Sequence, residues 1–72
     1  MIVKKPKQVE DLKDFWLKNI KIVTKLFTLK GKFCLFERPE DDPEERGNIT
    51  IEDEYGTLRY VYLDEIEFVE LI

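Results

Sequence analysis

The stretch IKIVTKLFTLKGKFCLFE, residues 20–37, decides the fold, because its first half alternates between aliphatic residues and lysine. Ile20 and Ile22 point to one side of an extended chain, and Lys21 points to the other. Alternation with a period of two is typical of a β-strand that has one face in the core. We therefore predict a first strand over residues 20–27.

The second half of the same stretch predicts a turn and a second strand. Gly31 follows Lys30 where the alternation changes, so the turn is expected there. The second strand then runs from Lys32 to Glu37. Its uninterrupted apolar run, Phe33–Phe36, predicts burial on both faces, with a helix covering one side.

Three more strands are expected between residues 48 and 72. Ile49 and Ile51 alternate with polar residues and are expected to face inward. Gly56 suits the tight turn of a hairpin, and a single helical turn is expected before the last strand. The three strands are NITIED (48–53), LRYVYL (58–63) and IEFVELI (66–72), and the helical turn is LDEI (63–66).

The residues before the first strand predict one helix. Val9, Leu12 and Phe15 recur at three-residue steps, which places them on one apolar stripe. Acidic residues come early in this segment and a lysine comes late, the order that complements the helix dipole. We predict an α-helix over residues 8–19, preceded by a basic N-terminal arm, residues 1–7.

One helix followed by five short strands favours a closed barrel, because closure removes the exposed edges of the sheet. The predicted fold class is mainly β with one N-terminal α-helix, arranged as a small five-stranded SH3/Sm-like barrel. A chain of 72 residues forms a single domain. The barrel is expected to span residues 20–72 and to include an acidic loop at residues 38–47.

The composition argues against catalysis and against a bound metal. The chain has no histidine, and Cys34 is its only cysteine, which excludes an internal disulfide and disfavours a zinc site. Cys34 lies between Phe33 and Leu35, which predicts a buried, unreactive thiol. We expect no enzymatic activity, no cofactor and no metal site.

No segment of the sequence has the features of a targeting signal or a membrane span. The first residues contain no apolar signal region, and no apolar run reaches the roughly 18–20 residues that a spanning helix needs. We expect a cytoplasmic protein without a membrane partner, and a lone cysteine fits that compartment.

The net charge of −4 is unevenly distributed along the chain. Residues 1–36 contain nine lysines and three acidic residues, whereas residues 37–72 contain three arginines and thirteen acidic residues. Two interpretations are open. Either the strands interleave opposite charges when they pair, or two surfaces of opposite sign attract different partners.

The acidic loop is the main candidate for a binding surface. Its carboxylates are adjacent rather than alternating, a spacing that does not fit a calcium loop. A protein partner with a basic surface is favoured instead. A further interpretation is that the acids imitate a phosphate backbone and inhibit a nucleic-acid enzyme. The candidate partner-binding residues are Glu40, Asp41, Asp42, Glu44, Glu45 and Glu52.

Nucleic-acid binding is the alternative function. Lysines of the first half could contact phosphates, and strand aromatics could stack on bases. RNA is the nucleic acid considered, although the acidic total disfavours it. The candidate residues are Lys21, Lys25, Asn48 and Tyr62.

The order of the predicted elements and one motif resemble the Sm-like family. Asn48 precedes the alternating strand Ile49–Ile51, and Glu44 lies four positions earlier. The resemblance implies a barrel that assembles into an oligomeric ring, in which Glu44 and Asn48 help to form a pocket for an RNA base. Asp64 and Glu65 stand in the turn where that family has basic residues.

The sequence is also similar to YolD-like proteins of bacteria and their phages. The segments that carry the similarity are LKGKFCLF, NITIED and YLDEIEFVEL. This similarity implies a small bacterial or phage regulatory protein.

The last predicted strand, IEFVELI, is apolar up to its final residue. Such a strand predicts either self-association through the C-terminal strand or closure of its own barrel. Taken together, these features predict a small non-enzymatic binding or adaptor module that acts through protein–protein interaction.

Overall fold

The structure is a computed structural model that describes residues 1–72. Six antiparallel strands form one sheet in the order β1-β6-β2-β3-β4-β5, so the predicted mainly β architecture is confirmed. The strands are β1 (Ile2–Lys4), β2 (Asn19–Thr24), β3 (Thr28–Glu37), β4 (Asn48–Glu52), β5 (Leu58–Tyr62) and β6 (Ile66–Leu71).

The predicted closed five-stranded barrel is wrong both in its closure and in its strand count. β1 and β5 lie at the two ends of the sheet and do not pair with each other. The additional strand is β1, which comes from the segment that was predicted to be a basic arm. Val3 of β1 pairs with Val69 of β6 and packs against the core. The lysines around this short strand conceal its alternation in the sequence.

The predicted α-helix is a shorter 3₁₀ helix, Val9–Phe15. Its buried residues are Val9, Leu12 and Phe15, whose three-residue spacing matches the three residues per turn of a 3₁₀ helix. Asp11 stabilises the start by accepting hydrogen bonds from the backbone N–H groups of Lys7 and Gln8 at 2.9 and 3.2 Å. The helix therefore covers the core with the residues that the sequence indicated.

Residues 16–18 link the helix to the sheet. Trp16, with a ψ of 128°, ends the helical conformation, and Leu17 follows with a positive φ of 63°. Its N–H donates to the carbonyl of Phe33 at 2.9 Å, and the N–H of Phe33 donates to the carbonyl of Lys18 at 3.0 Å.

None of the helices in the structure has the length and apolar character that a membrane span needs.

The turn between β2 and β3 lies earlier than the sequence indicated. The Thr24 side chain accepts hydrogen bonds from the N–H groups of Leu26 and Phe27 at 3.2 and 3.1 Å. The chain thus reverses at residues 25–27, and the predicted turn at residues 30 and 31 is wrong. Gly31 lies inside β3 instead, close to the point where β3 changes its partner from β2 to β4.

Burial of the Phe33–Phe36 run on both faces is also wrong. Phe33 is buried, but Leu35 and Phe36 are 54% and 39% exposed. A register shift between Phe33 and Leu35 interrupts the regular alternation, and the helix packs on the core side of the sheet. Cys34, which was predicted to be buried, is half-buried, and its Sγ lies 3.5 Å from the carbonyl oxygen of Thr50.

The second half of the chain follows the prediction more closely. Ile49 and Ile51 of β4 are buried, Gly56 turns the β4–β5 hairpin with φ 78°, and a 3₁₀ turn precedes β6. The core cluster consists of Val9, Leu12, Phe15, Ile20, Ile22, Phe33, Ile49, Ile51, Val61, Leu63, Ile66 and Val69.

The position of β6 corrects the prediction of self-association through the C-terminal strand. β6 pairs with β1 along one edge and with β2 along the other. Both of its edges are therefore occupied within the chain, and β6 has no free edge to offer a second subunit.

Candidate functional site

A groove of about 380 Å³ lies between the acidic loop and the outer face of β4 and β5. We name it the acidic–aromatic groove because carboxylates and tyrosines dominate its lining. The residues that line it are Glu37, Asp42, Pro43, Glu44, Asn48, Thr50, Tyr60 and Tyr62.

The floor of the groove follows from the pairing of β4 and β5. Ile49 pairs with Val61, and both are buried in the core. Side chains alternate along a strand, so the neighbouring pair, Thr50 and Tyr60, faces outward. Tyr62 lies on the same outer side, and its ring meets that of Tyr60 edge to face at 5.6 Å. The groove is open to solvent beside Tyr60, since this residue is 62% exposed.

Asp42 shapes the wall of the groove from inside the loop. Its carboxylate accepts hydrogen bonds from the N–H groups of Glu44 and Gly47 at 2.9 and 3.0 Å, and from the Asn48 amide at 3.3 Å. These bonds, the one from Glu44 foremost, hold the pKa of Asp42 below its ordinary value. Asp42 is buried, and both of its carboxylate oxygens accept hydrogen bonds from the chain itself. Its role is therefore structural rather than that of a free acid for a partner.

Asn48 is likewise engaged within the chain. Its side-chain amide donates to Glu37 at 3.0 Å and to Asp42 at 3.3 Å, and the residue is buried. The groove therefore contains Glu44 and Asn48, as the Sm-like motif implied, but the Asn48 amide is committed to two carboxylates.

Arg46 covers one side of Tyr62. Its guanidinium carbon lies 3.7 Å from the ring centroid, within the range of a cation–π interaction. Two nitrogens of Arg46 donate to the two oxygens of Asp64 at 2.7 and 3.0 Å, and a third contact reaches Glu44 at 3.3 Å. Bonding to Asp64 raises the pKa of Arg46, and interaction with the Glu44 carboxylate raises the pKa of Tyr62.

The other predicted acidic residues lie outside the groove. Glu40 and Asp41 are exposed on a 3₁₀ turn, Pro39–Asp41, and Glu45 is exposed with a φ of 58°. Glu52 is exposed at the end of β4, opposite Lys32. Of the six predicted acids, the structure brings only Asp42 and Glu44 together at this site.

The candidate site residues did not include Glu37 and Tyr60. Glu37 was predicted to end the second strand, and it does end β3, opposite Asn48, where its side chain reaches the groove. Alternation along LRYVYL could have identified Tyr60, since the buried Val61 next to it requires Tyr60 to face outward.

The four predicted nucleic-acid residues do not form one site, because only Asn48 and Tyr62 lie together in the groove. Lys21 forms an ion pair with Glu70 at 3.2 Å on paired strands, and Lys25 is exposed in the turn after β2. Neither lysine lines the groove that contains Asn48 and Tyr62.

The two halves of opposite charge exchange few ion pairs. Lys21 is the only lysine that bonds a carboxylate, and the pair of Arg38 with Glu10 is the only other ion pair that joins the two halves. Interleaving of opposite charges is therefore limited, and the acidic character of the second half is retained at its surface. No group of three or more histidine, cysteine, aspartate or glutamate side chains is placed to hold a metal ion.

Replacing Asp42 by asparagine is expected to destabilise the protein at neutral pH and to change its pH dependence. The pKa of Asp42 is lowered by folding, so its contribution is present above the ordinary value of 3.8 and is lost as the pH falls through the lower folded value. Urea unfolding of the wild type and Asp42→Asn at several pH values measures the difference.

The gap in stability between the two proteins should be largest near pH 7 and should shrink below about pH 4. Glu40→Gln, on the exposed turn of the same loop, serves as the control and should leave stability unchanged. A gap that stays constant down to pH 2 would contradict the assigned role.

The chain was compared with protein-family models, curated proteins and solved structures, and it matches none of them significantly, so the resemblance to Sm-like and YolD-like proteins stays a prediction.

Proposed function

We propose that this protein is a small non-enzymatic binding module that holds a basic segment of another protein in its acidic–aromatic groove. The observation that supports the proposal most directly is the placement of Arg46, whose guanidinium lies 3.7 Å from the Tyr62 ring between Glu44 and Asp64. The chain itself thus provides an example of how this surface accommodates a cation.

The unoccupied part of the groove offers the same chemistry to a partner. Glu37 and Glu44 supply carboxylates, and Tyr60 supplies an aromatic ring that is exposed. Arg46 pairs with Asp64 at 2.7 Å and with Glu44 at 3.3 Å, whereas Glu37 forms no ion pair within the chain. A lysine or arginine side chain would gain both charge attraction and cation–π contact there.

Removal of the exposed ring is expected to weaken binding of a basic peptide about tenfold, since cation–π contacts contribute roughly 0.5–2 kcal/mol. The probe is an extended peptide of alternating arginine and threonine, and affinity is measured by isothermal titration calorimetry for the wild type and Tyr60→Ala. Affinity should also fall as salt is added, because the interaction is partly electrostatic.

Tyr55→Ala is the matched control, because Tyr55 is 82% exposed and lies outside the groove. Equal losses from the two substitutions, or no binding of the peptide to the wild type, would contradict the proposal. Tighter binding of a single-stranded oligoribonucleotide, abolished by replacing Lys21 and Lys25 with glutamate, would favour RNA binding in its place.

A further inference from the structure

The two outer strands of the sheet differ in how they are protected from further pairing. β1 has only three residues and is followed by Lys5, with a positive φ of 46°, and by Pro6. A short strand, lysine side chains and proline each hinder an edge strand from pairing with another chain. β5 has five residues, Leu58–Tyr62, without lysine, proline or a register shift against β4.

The hydrogen-bond pattern of the β4–β5 hairpin identifies the backbone groups on the free edge of β5. The N–H of Asp53 donates to Thr57 at 2.9 Å, and the N–H of Leu63 donates to Gly47 at 3.0 Å. In an antiparallel pair, hydrogen-bonded and non-hydrogen-bonded positions alternate. Arg59 and Val61 lie between these two hydrogen-bonded positions, at steps of two residues, and pair with Ile51 and Ile49. Their backbone N–H and C=O groups therefore face β4.

It follows that Leu58, Tyr60 and Tyr62 direct their N–H and C=O groups away from β4. β5 pairs with no other strand, so these groups have no partner in the sheet. The side chains of Leu58 and Tyr60 are 59% and 62% exposed, so they do not block access to the edge.

We propose that the basic segment binds as an added β-strand along the free edge of β5. This inference rests on the proposed function and specifies the form of the partner. An added strand would lie about 4.8 Å from β5, and every second side chain would project on the outer face beside Tyr60. Arginine or lysine at those positions would then reach the acidic–aromatic groove.

Charge favours a basic segment over a second copy of the chain. Pairing of β5 with β5 of another copy would bring two acidic hairpins together, since Glu52, Asp53 and Glu54 lie directly before the turn. Arg59, the one cation of β5, is already paired with Asp53 at 2.9 Å. Repulsion between like charges on neighbouring strands disfavours self-pairing, whereas a basic strand would be attracted.

Leu58→Pro tests the inference, because it removes an N–H that faces the free edge and leaves the β4 ladder intact. Proline is tolerated on an edge strand when its missing N–H faces solvent. Leu58→Ala is the matched control, since it removes the same side chain and keeps the N–H, and Leu58 does not line the groove.

With the peptide of alternating arginine and threonine, Leu58→Pro is expected to lower the affinity at least tenfold and Leu58→Ala less than threefold. Amide exchange in the wild type should slow at Leu58 and Tyr60 when the peptide is bound. Circular dichroism and thermal unfolding establish that each variant is folded, and the exchange result on the wild type does not depend on any variant.

The outcomes separate the two proposals. If Tyr60→Ala weakens binding but Leu58→Pro does not, and the Leu58 and Tyr60 amides stay unprotected, the groove binds the peptide without strand addition and only this inference fails. If the wild type binds no peptide, both proposals fail. If light scattering shows a dimer that Leu58→Pro dissociates, the edge serves a second copy instead.

Discussion

Replacing Gly31 by alanine is expected to lower the free energy of unfolding by roughly 3 kcal/mol, a large part of the stability of so small a domain. A Cβ at this position would lie 2.4 Å from the carbonyl oxygen of Glu52 and 2.9 Å from its carbonyl carbon. These are backbone atoms of the neighbouring β4 region, so relief requires β3 and β4 to separate. Urea unfolding followed by tryptophan fluorescence measures the loss.

Gly56→Ala is the natural comparison for Gly31→Ala. A Cβ at Gly56 meets no atom within 4 Å, and only its φ of 78° disfavours alanine. The expected cost is about 1 kcal/mol, from left-handed backbone strain alone. If Gly31→Ala cost no more than Gly56→Ala, the close approach of β3 to β4 at this point would be refuted.

Truncation of Phe33 to alanine is expected to lower the free energy of unfolding by roughly 3–5 kcal/mol. Phe33 is 1% exposed and joins the core cluster, and its ring meets that of Trp16 edge to face at 5.3 Å. Removing it opens a cavity beneath the junction between the helix and β3. Thermal unfolding monitored by circular dichroism gives the shift in midpoint.

Leu35→Ala is the matched control for Phe33→Ala. Leu35 is two residues further along β3 and is 54% exposed, so its truncation removes little buried area. We expect less than about 1 kcal/mol for this variant, in line with exposed positions generally. Comparable losses from both substitutions would mean that the Phe33–Phe36 run is buried on both faces after all.

Local pattern was sufficient to predict the strands of the second half. Ile49 and Ile51 alternate cleanly, and Gly56 sits at the one position of the hairpin that needs a positive φ. The first half was harder because its signals compete. Lys30 and Gly31 resemble a turn, but Thr24 closes the actual turn with its hydroxyl, an interaction that hydrophobic periodicity does not register.

The prediction of the helix type was wrong, and β1 was missed, for a different physical reason. A three-residue apolar step fits both an α-helix and a 3₁₀ helix, so the stripe identifies the buried residues without fixing the helix type. β1 is too short for alternation to be recognised, and its place beside β6 depends on contacts between the two ends of the sequence. Closure of a barrel was inferred without that strand.

The candidate site was predictable only in part, because it is assembled from the end of β3, the acidic loop, β4 and β5. The acidic loop drew attention to Asp42 and Glu44, but composition does not distinguish a carboxylate that is bonded within the loop from one that is free. Glu37 and Tyr60 belong to the site through strand register. Register depends on which strands pair, and a single sequence does not state that pairing.

The position of β6 between β1 and β2 has a consequence for the synthesis of the protein on the ribosome. β2, β3, β4 and β5 are neighbours in both sequence and space, so they can pair as the chain emerges. β1 is made first, yet its only partner strand is β6, which is made last. β1 must therefore wait until the other five strands have been made, and translation that stops before β6 leaves one edge of β2 unpaired.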